Sequence, residues 1–544
     1  MINAYATEQD IKRLTVSCAI NEAVHALDDP KLPPADKMAI VGKLCPAGGP
    51  VAMCGNNGDV CVIDSDSHSI MFASSGRGKT RRHVFPMVMT EILSGTNLVV
   101  NDMKGEIYEA MQGLLKKMEY TVYVLDLRQP SKSPNRYNPL AIAWDEYHLG
   151  DKDAAFLYLH SFGQSLFSQM ENASADPFWH MTATDYFVAL TMGMLEHGVE
   201  KDAFTLESVA LMDRMGNKKS GPGNPQINDF FAGLPKDGIA EQFASGTIGA
   251  PNDTRASILS VFRQPISLYA GQRGLMDVLA RDDFKISDLA QEKRAFFIVS
   301  PDETHSLGPV VVGILNQVMS ALISHAQTAY GGVLPRRIDF ILDEFGNLPT
   351  KVPEMSALVS AARSRNIRFH FVLQSEHQLS NVYGDQIKEV ILDNVDNWFF
   401  MGSRGLQFLK HVSELAGERE NASGKVEPVM SVAKLQRLEK RDDETETLVL
   451  MGSLKPFVTP LKDISQYESV DSEGVAPAPR RQIDRSVFDV EAVVRDMKEK
   501  KIREIMDREM CEKGKKPTKK HPKKTIDEDI LEGLRKMAAE SAAE

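Results

Sequence analysis

The sequence has few cysteines, fewer positively than negatively charged residues and no long uncharged apolar run. Five cysteines in 544 residues cannot build the disulfide framework of a small secreted protein. The first 24 residues carry scattered charges and lack the apolar core of a signal peptide. We find no stretch of about 18 uncharged apolar residues of the kind that crosses a membrane. These absences predict a cytoplasmic chain that is neither secreted nor, by itself, inserted in a membrane.

The balance of charge is acidic, with 63 Lys and Arg residues against 75 Asp and Glu residues and a net charge of −12. A protein that coats nucleic acid needs Lys and Arg concentrated on one surface, so the balance argues against non-specific coating. It leaves room for a local basic patch. With 42% hydrophobic and 25% charged residues, the composition is that of a soluble globular protein with space for about three domains.

Short apolar strands alternate with amphipathic helices in two parts of the chain, which is typical of a parallel sheet built from βαβ units. The predicted strands are residues 60–64, 68–73, 97–101, 120–125, 295–299, 338–342, 369–374 and 398–402. The predicted helices between them are residues 81–93, 106–117, 310–330 and 353–365. The alternation stops near Asn138 and resumes near Ala295, and the segment between them has helical patterns only. We therefore predict an α/β core that is split by a helical insertion.

This pattern predicts four units. Residues 1–58 form an N-terminal helical segment, residues 59–139 and 284–470 form the nucleotide-binding core, and residues 140–283 form an all-α insertion. Residues 471–544 contain a linker and a charged helical tail with a lysine-rich run, residues 513–524. That run contains no acid, so it is suited to DNA phosphates or anionic lipids, and a solvated linker is the alternative.

The strongest motif is a small-residue loop between a predicted strand and a predicted helix. It consists of Ala73, Ser74, Ser75, Gly76, Arg77, Gly78, Lys79 and Thr80. In a phosphate-binding loop, backbone N–H groups at the helix start hold the phosphates, the lysine contacts the β and γ oxygens, and the hydroxyl binds Mg²⁺. Lys79 and Thr80 occupy those positions. The sequence therefore predicts an ATP and Mg²⁺ site.

A second motif is the strand that ends in Asp343 and Glu344. Paired with a phosphate-binding loop, Asp343 is expected to order the Mg²⁺ shell and Glu344 to polarise the attacking water. Gln374 ends the next strand, in the place of a sensor for the γ-phosphate or the water, although a strand-end amide with purely structural bonds fits equally well. Together these residues predict an NTPase.

Charged residues at other strand and helix ends complete the set of candidates. Asp102, Lys104 and Glu106 follow the strand after the loop, at the edge where ligands of open α/β sheets bind. Arg363 and Arg365 end a predicted helix, and either could stabilise the γ-phosphate of a neighbouring subunit. A solvated helix end with favourably placed cations is the alternative for both arginines.

Several further motifs, in order along residues 60–460, resemble the TraG/TraD coupling proteins of conjugative type IV secretion. They are SGRGKTR at 75–81 with Phe85-Pro86, NDMKGE at 101–106, YNP at 137–139, DPFW at 176–179, ILDEFG at 341–346, AARSR at 361–365, LQS at 373–375, QL at 378–379, YG at 383–384 and DN at 393–394. Several of these motifs have no part in generic ATP binding, so the resemblance is specific.

The resemblance implies a RecA-like P-loop core interrupted by an all-α domain, working as a homo-hexamer that hydrolyses ATP. Its implied partners are a relaxase or relaxosome, single-stranded DNA and the proteins of the secretion channel. It also implies that Trp179, inside the all-α domain, belongs to a helical core rather than stacking on DNA. Most such proteins have an N-terminal transmembrane region, and here about 60 mainly polar residues precede the core. The expectation is a cytoplasmic protein that either reaches the inner face of the membrane through a separate membrane-anchor protein or has lost its anchor.

Two other functions remain open from the sequence. A docking protein gated by nucleotide would bind ATP and relaxosome proteins without pumping DNA. A double-stranded DNA translocase of the FtsK/HerA kind would share the ATPase motifs, but the large helical insertion and the DPFW motif argue against it.

Overall fold

The computed structural model describes residues 5–168, 176–218, 225–301, 306–421, 423–452, 454–469 and 483–512. In chain order, strands β1 to β14 are Val16–Ala19, Val51–Cys54, Asp59–Val62, Ser69–Ala73, Asn97–Asp102, Thr121–Asp126, Arg294–Val299, Ile338–Leu342, Ile367–Leu373, Asn397–Gly402, Glu418–Glu420, Val426–Pro428, Glu444–Met451 and Phe457–Lys462. Helices α1 to α19 are Glu8–Arg13, Ile20–Asp28, Pro34–Leu44, Phe85–Ser94, Glu106–Lys117, Ala141–Leu149, Lys152–Phe167, Phe178–His197, Leu206–Gly216, Gln226–Ala232, Ile239–Ile248, Asn252–Ala270, Arg273–Val278, Gly308–Tyr330, Met355–Ala362, Glu376–Asp393, Leu406–Leu415, Val432–Gln436 and Val490–Glu512.

A nine-stranded sheet forms the centre, in the order β14-β13-β10-β4-β9-β8-β5-β7-β6. Strands from β10 to β6 pair in parallel, and β13 and β14 extend one edge as antiparallel strands. Except for the edge strand β6, the parallel strands are buried along almost their whole length, which explains why they occur in the sequence as short apolar runs. The eight predicted strands lie at or close to observed strands; the antiparallel edge was not predicted.

Successive side chains of each central strand enter two different apolar cores, as the period of two in a strand requires. In β4, Ile70 and Phe72 face the core that contains the long helices α7, α8 and α14. Met71 and Ala73 face the core that contains α4, α5 and the N-terminal segment. The sheet is therefore covered on both faces. Because the strands are parallel, their carboxyl ends all lie along the same side of the sheet.

The prediction of a purely helical N-terminal segment is wrong. Helices α1 to α3 are present, but β1 and β2 flank β3 in a small antiparallel sheet of order β1-β3-β2. Each of these strands has only four residues, which is too short to show a clear period of two. The small sheet packs with α4 in the second core.

In the described part of residues 140–283, all regular elements are helices. These helices share one continuous apolar core with the sheet. The ring of Phe162 in α7 lies so close to Gly313 of α14 that a Cβ at this glycine would be 2.5 Å from the ring. Close helix packing thus connects the helical segment of residues 140–283 to the helix α14, which packs against the parallel sheet.

The prediction that Trp179 lies in a helical core is wrong. Trp179 is half-buried in the first turn of α8, and its ring meets Phe178 edge-on at 5.1 Å. Phe178 itself is 45% exposed. The two aromatic rings of this turn therefore contact each other instead of filling the core.

Among the residues described, α14 is the one helix that is long and apolar enough to cross a membrane. Its apolar window includes Asn316, Gln317 and Ser320, so it is not an unbroken run of about 18 apolar residues. In addition, 72% of that window is buried inside the protein, in the core beside α7. Burial against the helical segment accounts for its apolar composition.

The C-terminal helix α19 does not stand alone, because the residues before it dock on the helical segment. Phe488 is buried, its ring meets Phe230 and His197, and its backbone N–H donates to Ser208 Oγ at 2.9 Å. Lys498 pairs with Asp229 at 2.6 Å. The predicted linker and the lysine-rich run at 513–524 lie outside the described residues.

Asp282 lies where the helical segment returns to the sheet. Its Oδ1 atom accepts the backbone N–H of Asn138 at 2.7 Å, and burial raises the pKa of its carboxyl to about 7. The unfolded chain loses this proton near pH 4, whereas the folded chain keeps it up to about pH 7. Folding stability from this group therefore falls as pH rises through that window.

Asp282→Asn keeps the acceptor oxygen without the charge. Relative to wild type, its free energy of unfolding is expected to rise by about 2 kcal/mol between pH 5 and pH 8, measured by urea denaturation at both values. Asp202→Asn, at an exposed position nearby, is the control. A difference that does not change with pH would contradict the prediction.

Candidate nucleotide-binding site

The loop that the sequence predicts to bind phosphate leaves the carboxyl end of β4 and enters a helix. Ser74 N donates to Gly402 O at 3.1 Å, which ties the loop to β10, and Arg82 N donates to Gly78 O at 2.9 Å. Gly76 and Gly78 have φ values of 78° and 85°. A Cβ at Gly78 would lie 2.0 Å from Arg82 Nη1, so this position requires glycine for both its backbone angle and its space.

Three positively charged side chains line the cleft beside this loop: Arg77, Arg404 and Lys440. The cleft there is lined by Ser74, Ser75, Gly76, Arg77, Ser403, Arg404 and Lys440. Arg77 Nη1 donates to Leu438 O at 2.8 Å, and Lys440 Nζ donates to Gly76 O at 2.7 Å. Ser75 and Gly76 are exposed. The cleft is therefore open, rich in hydrogen-bond donors and suited to an anion.

The sequence did not indicate that residues 437–446 lie against the loop. Besides the contacts of Leu438 and Lys440, Thr445 Oγ1 donates to Arg77 O at 3.3 Å. Arg82 Nη2 donates to the backbone oxygen of Asp442 at 2.8 Å. The loop conformation is thus supported from a segment more than 350 residues away along the chain.

Lys79 and Glu344 form an ion pair at the centre of the site. Lys79 is 8% exposed, and its Nζ donates to Glu344 Oε1. Thr80, half-buried, follows at the start of the helical turn that leads into α4. Since β4 and β8 both end at this edge, the structure brings the loop lysine and the strand-end acid together.

Asp343 offers a carboxylate oxygen that the protein leaves without a partner. Burial, with the nearby charge of Glu344, raises the pKa of its carboxyl to about 7. Among the described residues, neither Asp343 Oδ1 nor Asn101 Oδ1 has a hydrogen-bond partner, although both are buried. Buried oxygens without donors suit a cation, so the residues present fit a bound Mg²⁺.

Gln374 reaches the same carboxylate as Lys79. Its Nε2 donates to Glu344 Oε2 at 3.3 Å, and Asn347 Nδ2 donates to this oxygen at 3.0 Å. Gln374 directly follows β9, which lies next to β8 in the sheet. The sequence identified Gln374 and Glu344 as candidates, and it did not identify Asn347.

The charged residues after β5 have mainly local contacts. Asp102 is buried, its Oδ1 and Oδ2 accept the backbone N–H groups of Gly105 and Tyr108 at 2.9 Å each, and burial raises its pKa to about 6. Lys104 and Glu106 are exposed at the start of α5. Asp102 therefore holds the turn before α5 at the site edge, with both oxygens engaged.

Arg363 and Arg365 lie at the amino ends of the parallel strands, on the side of the sheet opposite to the site. They form the turn before β9, whereas Gln374 follows the end of that strand, roughly 20 Å away at the rise of a β-strand. Arg363 is 55% exposed and pairs with Asp66 at 3.2 Å, and Arg365 Nη1 donates to Ala361 O at 2.8 Å. Neither arginine belongs to the site of its own subunit.

A family model described as "Type IV secretory system Conjugative DNA transfer" matches residues 24–423. The chain belongs to this conjugative DNA transfer family. The match runs through the phosphate-binding loop, Glu344 and Gln374, and it confirms the family that the motifs resemble.

Relatives of this chain include two VirD4 proteins. That of Rhizobium rhizogenes is 24% identical over 394 residues, covering 70% of this chain and 53% of its own length. That of Agrobacterium fabrum is 23% identical, covering 64% and 49%. The chain thus spans about half the length of the curated relatives it matches.

Solved structures of a conjugative coupling protein share the fold. TrwB in complex with ADP and Mg²⁺ matches with a TM-score of 0.57 and 15% identity, covering 80% of this chain and 94% of that one. TrwBdeltaN70 in complex with sulphate matches with a TM-score of 0.55, covering 79% and 94%. These likenesses confirm the predicted α/β fold with a largely parallel central sheet.

Proposed function

We propose that this protein binds ATP with Mg²⁺ and hydrolyses ATP as the coupling protein of a conjugative type IV secretion system. The observation that carries the proposal is the contact of Lys79 with Glu344, beside the unpartnered Asp343 oxygen, at the mouth of a glycine-containing loop. Phosphate, metal and attacking water each need one of these groups. TrwB, which shares the fold, has been crystallised with ADP and Mg²⁺.

Each residue of the site has a role in this proposal. The loop residues Ser74, Ser75, Gly76, Arg77 and Gly78 surround the phosphates, and Lys79 turns from Glu344 to the β and γ oxygens. Thr80 and Asp343 would hold Mg²⁺, which would supply positive charge to neutralise the phosphates. Glu344 then orients water and takes its proton, while Gln374 keeps the carboxylate in place.

The partners and the assembly are proposed from the family resemblance. We propose that the protein works as a homo-hexamer that delivers relaxase-bound single-stranded DNA to the channel proteins. Arg363, exposed and distant from its own site, or Arg365 would then stabilise the γ-phosphate of the adjacent subunit. The protein would act in the cytoplasm, at the inner face of the membrane.

The test is ATP hydrolysis by the purified protein with and without single-stranded DNA. Hydrolysis is expected to depend on Mg²⁺ and to rise at least severalfold with single-stranded DNA. Double-stranded DNA of equal length is the control. Binding of ATP without hydrolysis in either condition would favour the docking function, and equal stimulation by double-stranded DNA would favour a double-stranded DNA translocase.

A further inference from the structure

Four side chains form a closed ring of hydrogen bonds behind the candidate catalytic carboxylate. Glu344 Oε2 accepts Asn347 Nδ2 at 3.0 Å, and Asn347 Oδ1 accepts Gln378 Nε2 at 2.7 Å. Gln378 Oε1 accepts the backbone N–H of Gln374 at 2.8 Å. Gln374 Nε2 then returns to Glu344 Oε2 at 3.3 Å. The ring joins the end of β8 to the end of β9 and the start of α16.

The bonding partners determine which way both amides point. A carboxylate oxygen only accepts, so Asn347 must turn its NH₂ group towards Glu344 and its oxygen towards Gln378. Gln378 must therefore turn its NH₂ group towards Asn347. Its oxygen then faces the backbone N–H of Gln374, which only donates. A flip of either amide would set like groups against each other at both of its ends.

Close packing keeps Gln378 in this position. A Cβ at Gly346 would lie 2.4 Å from Gln378 Cβ and 2.7 Å from Leu373 Cδ2. Glu344 itself has a φ of 51°, which is uncommon for a residue with a side chain. Gly346 thus gives the glutamine room, and the ring supports a carboxylate on an unusual backbone.

We infer that Asn347 and Gln378 are positioning residues for Glu344 during hydrolysis; this inference rests on the proposed function. Two amide donors hold Oε2, so Oε1, the oxygen paired with Lys79, is the one that faces water once Lys79 contacts phosphate. Gln378 acts indirectly, because its hydrogen bond to Asn347 Oδ1 turns the NH₂ group of Asn347 towards Glu344. Neither residue is among those that surround the phosphates.

The test uses near-isosteric variants that each alter one end of one amide. Asn347→Asp keeps the acceptor for Gln378 but sets a carboxylate against Glu344. Gln378→Glu keeps the acceptor for Gln374 N–H but makes Asn347 turn its NH₂ group away from Glu344. For both, kcat is expected to fall about tenfold or more, the factor for a lost bond to a charged group, while KM for ATP with Mg²⁺ stays within about twofold.

Matched controls lie further along α16. Asn381→Asp and Gln386→Glu add the same charges at exposed positions and are expected to keep wild-type kcat and KM. Thermal unfolding of all four variants shows whether a loss of kcat reflects loss of fold. Ring variants that melt at least as high as the controls and lose only kcat support positioning.

Other outcomes overturn the inference in distinguishable ways. An unchanged kcat in both ring variants excludes positioning. A fall in kcat together with a rise in KM and a lower melting temperature also excludes it. Neither result contradicts the proposal that the wild type hydrolyses ATP. A loss confined to Asn347→Asp excludes action through Gln378. If the wild type itself does not hydrolyse ATP, the proposed function fails first, and this inference fails with it.

Discussion

Glu344→Gln is expected to bind ATP with Mg²⁺ as the wild type does and to hydrolyse it at least about a hundredfold more slowly. Glutamine keeps one oxygen, which can still accept the amide groups of Asn347 and Gln374 that meet Glu344 Oε2. Its NH₂ group replaces Oε1, the partner of Lys79, but Lys79 contacts phosphate when ATP is bound, so the nucleotide site stays assembled. It cannot take a proton from water. A fluorescent nucleotide gives the affinity, single-turnover hydrolysis gives the rate, and plasmid transfer between cells gives the biological effect.

The control for this variant is Glu389→Gln, which removes an exposed carboxylate that pairs with Lys388 at 2.9 Å. It should retain both hydrolysis and transfer. If Glu344→Gln leaves turnover and plasmid transfer unchanged, Glu344 does not activate water and the motor function is wrong. A variant that hydrolyses slowly but transfers normally would separate the two activities and favour a docking role.

The meeting of Lys79 with Glu344 could be predicted because it follows from topology. Each residue lies just after a parallel strand, and the carboxyl ends of such strands share one edge. The same rule places Gln374 there. The two arginines, 363 and 365, precede their strand, so the rule also explains why they lie at the far edge.

Asn347 and residues 437–446 could not be predicted, because their roles depend on contacts between distant segments. An asparagine in a turn has many uses, and only the neighbouring Gln378 selects this one. The antiparallel edge had a signal in the sequence: Glu444 and Glu446 alternate with Thr445 and Thr447 at the start of β13. Period-two alternation is typical of a strand with one exposed face.

The apolar runs of β8 and β9 are each interrupted by charge, and the reason is a buried ion-pair network. Arg368 Nε donates to Asp339 Oδ1 at 2.9 Å, and Arg368 Nη2 donates to Glu91 Oε1 at 3.0 Å. The guanidinium also donates to the backbone oxygens of Gly48 and Ser65 at 3.0 Å each. All three charged side chains are at most 2% exposed. One arginine thus joins the sheet, α4 and the N-terminal segment.

Arg368→Met is expected to lower the free energy of unfolding by about 3–5 kcal/mol, because it leaves the buried carboxylate of Asp339 without its cation. Although burial alone would raise the pKa of Asp339, the charge of Arg368 holds it well below its usual range. Without Arg368 that carboxyl should take up a proton more readily, so the loss should be smaller at pH 5 than at pH 8. Urea denaturation at both values measures it.

The matched control is Arg336→Met, since Arg336 is 49% exposed and pairs with Glu292 at 3.1 Å on the surface. Exposed pairs contribute about 0–1 kcal/mol, so this variant should remain near wild type at both pH values. Equal losses in the two variants would mean that the buried network contributes no more than a surface pair. In that case Arg368 would not be what joins the N-terminal segment to the sheet, and its two carboxylates would have to be neutral in the folded protein.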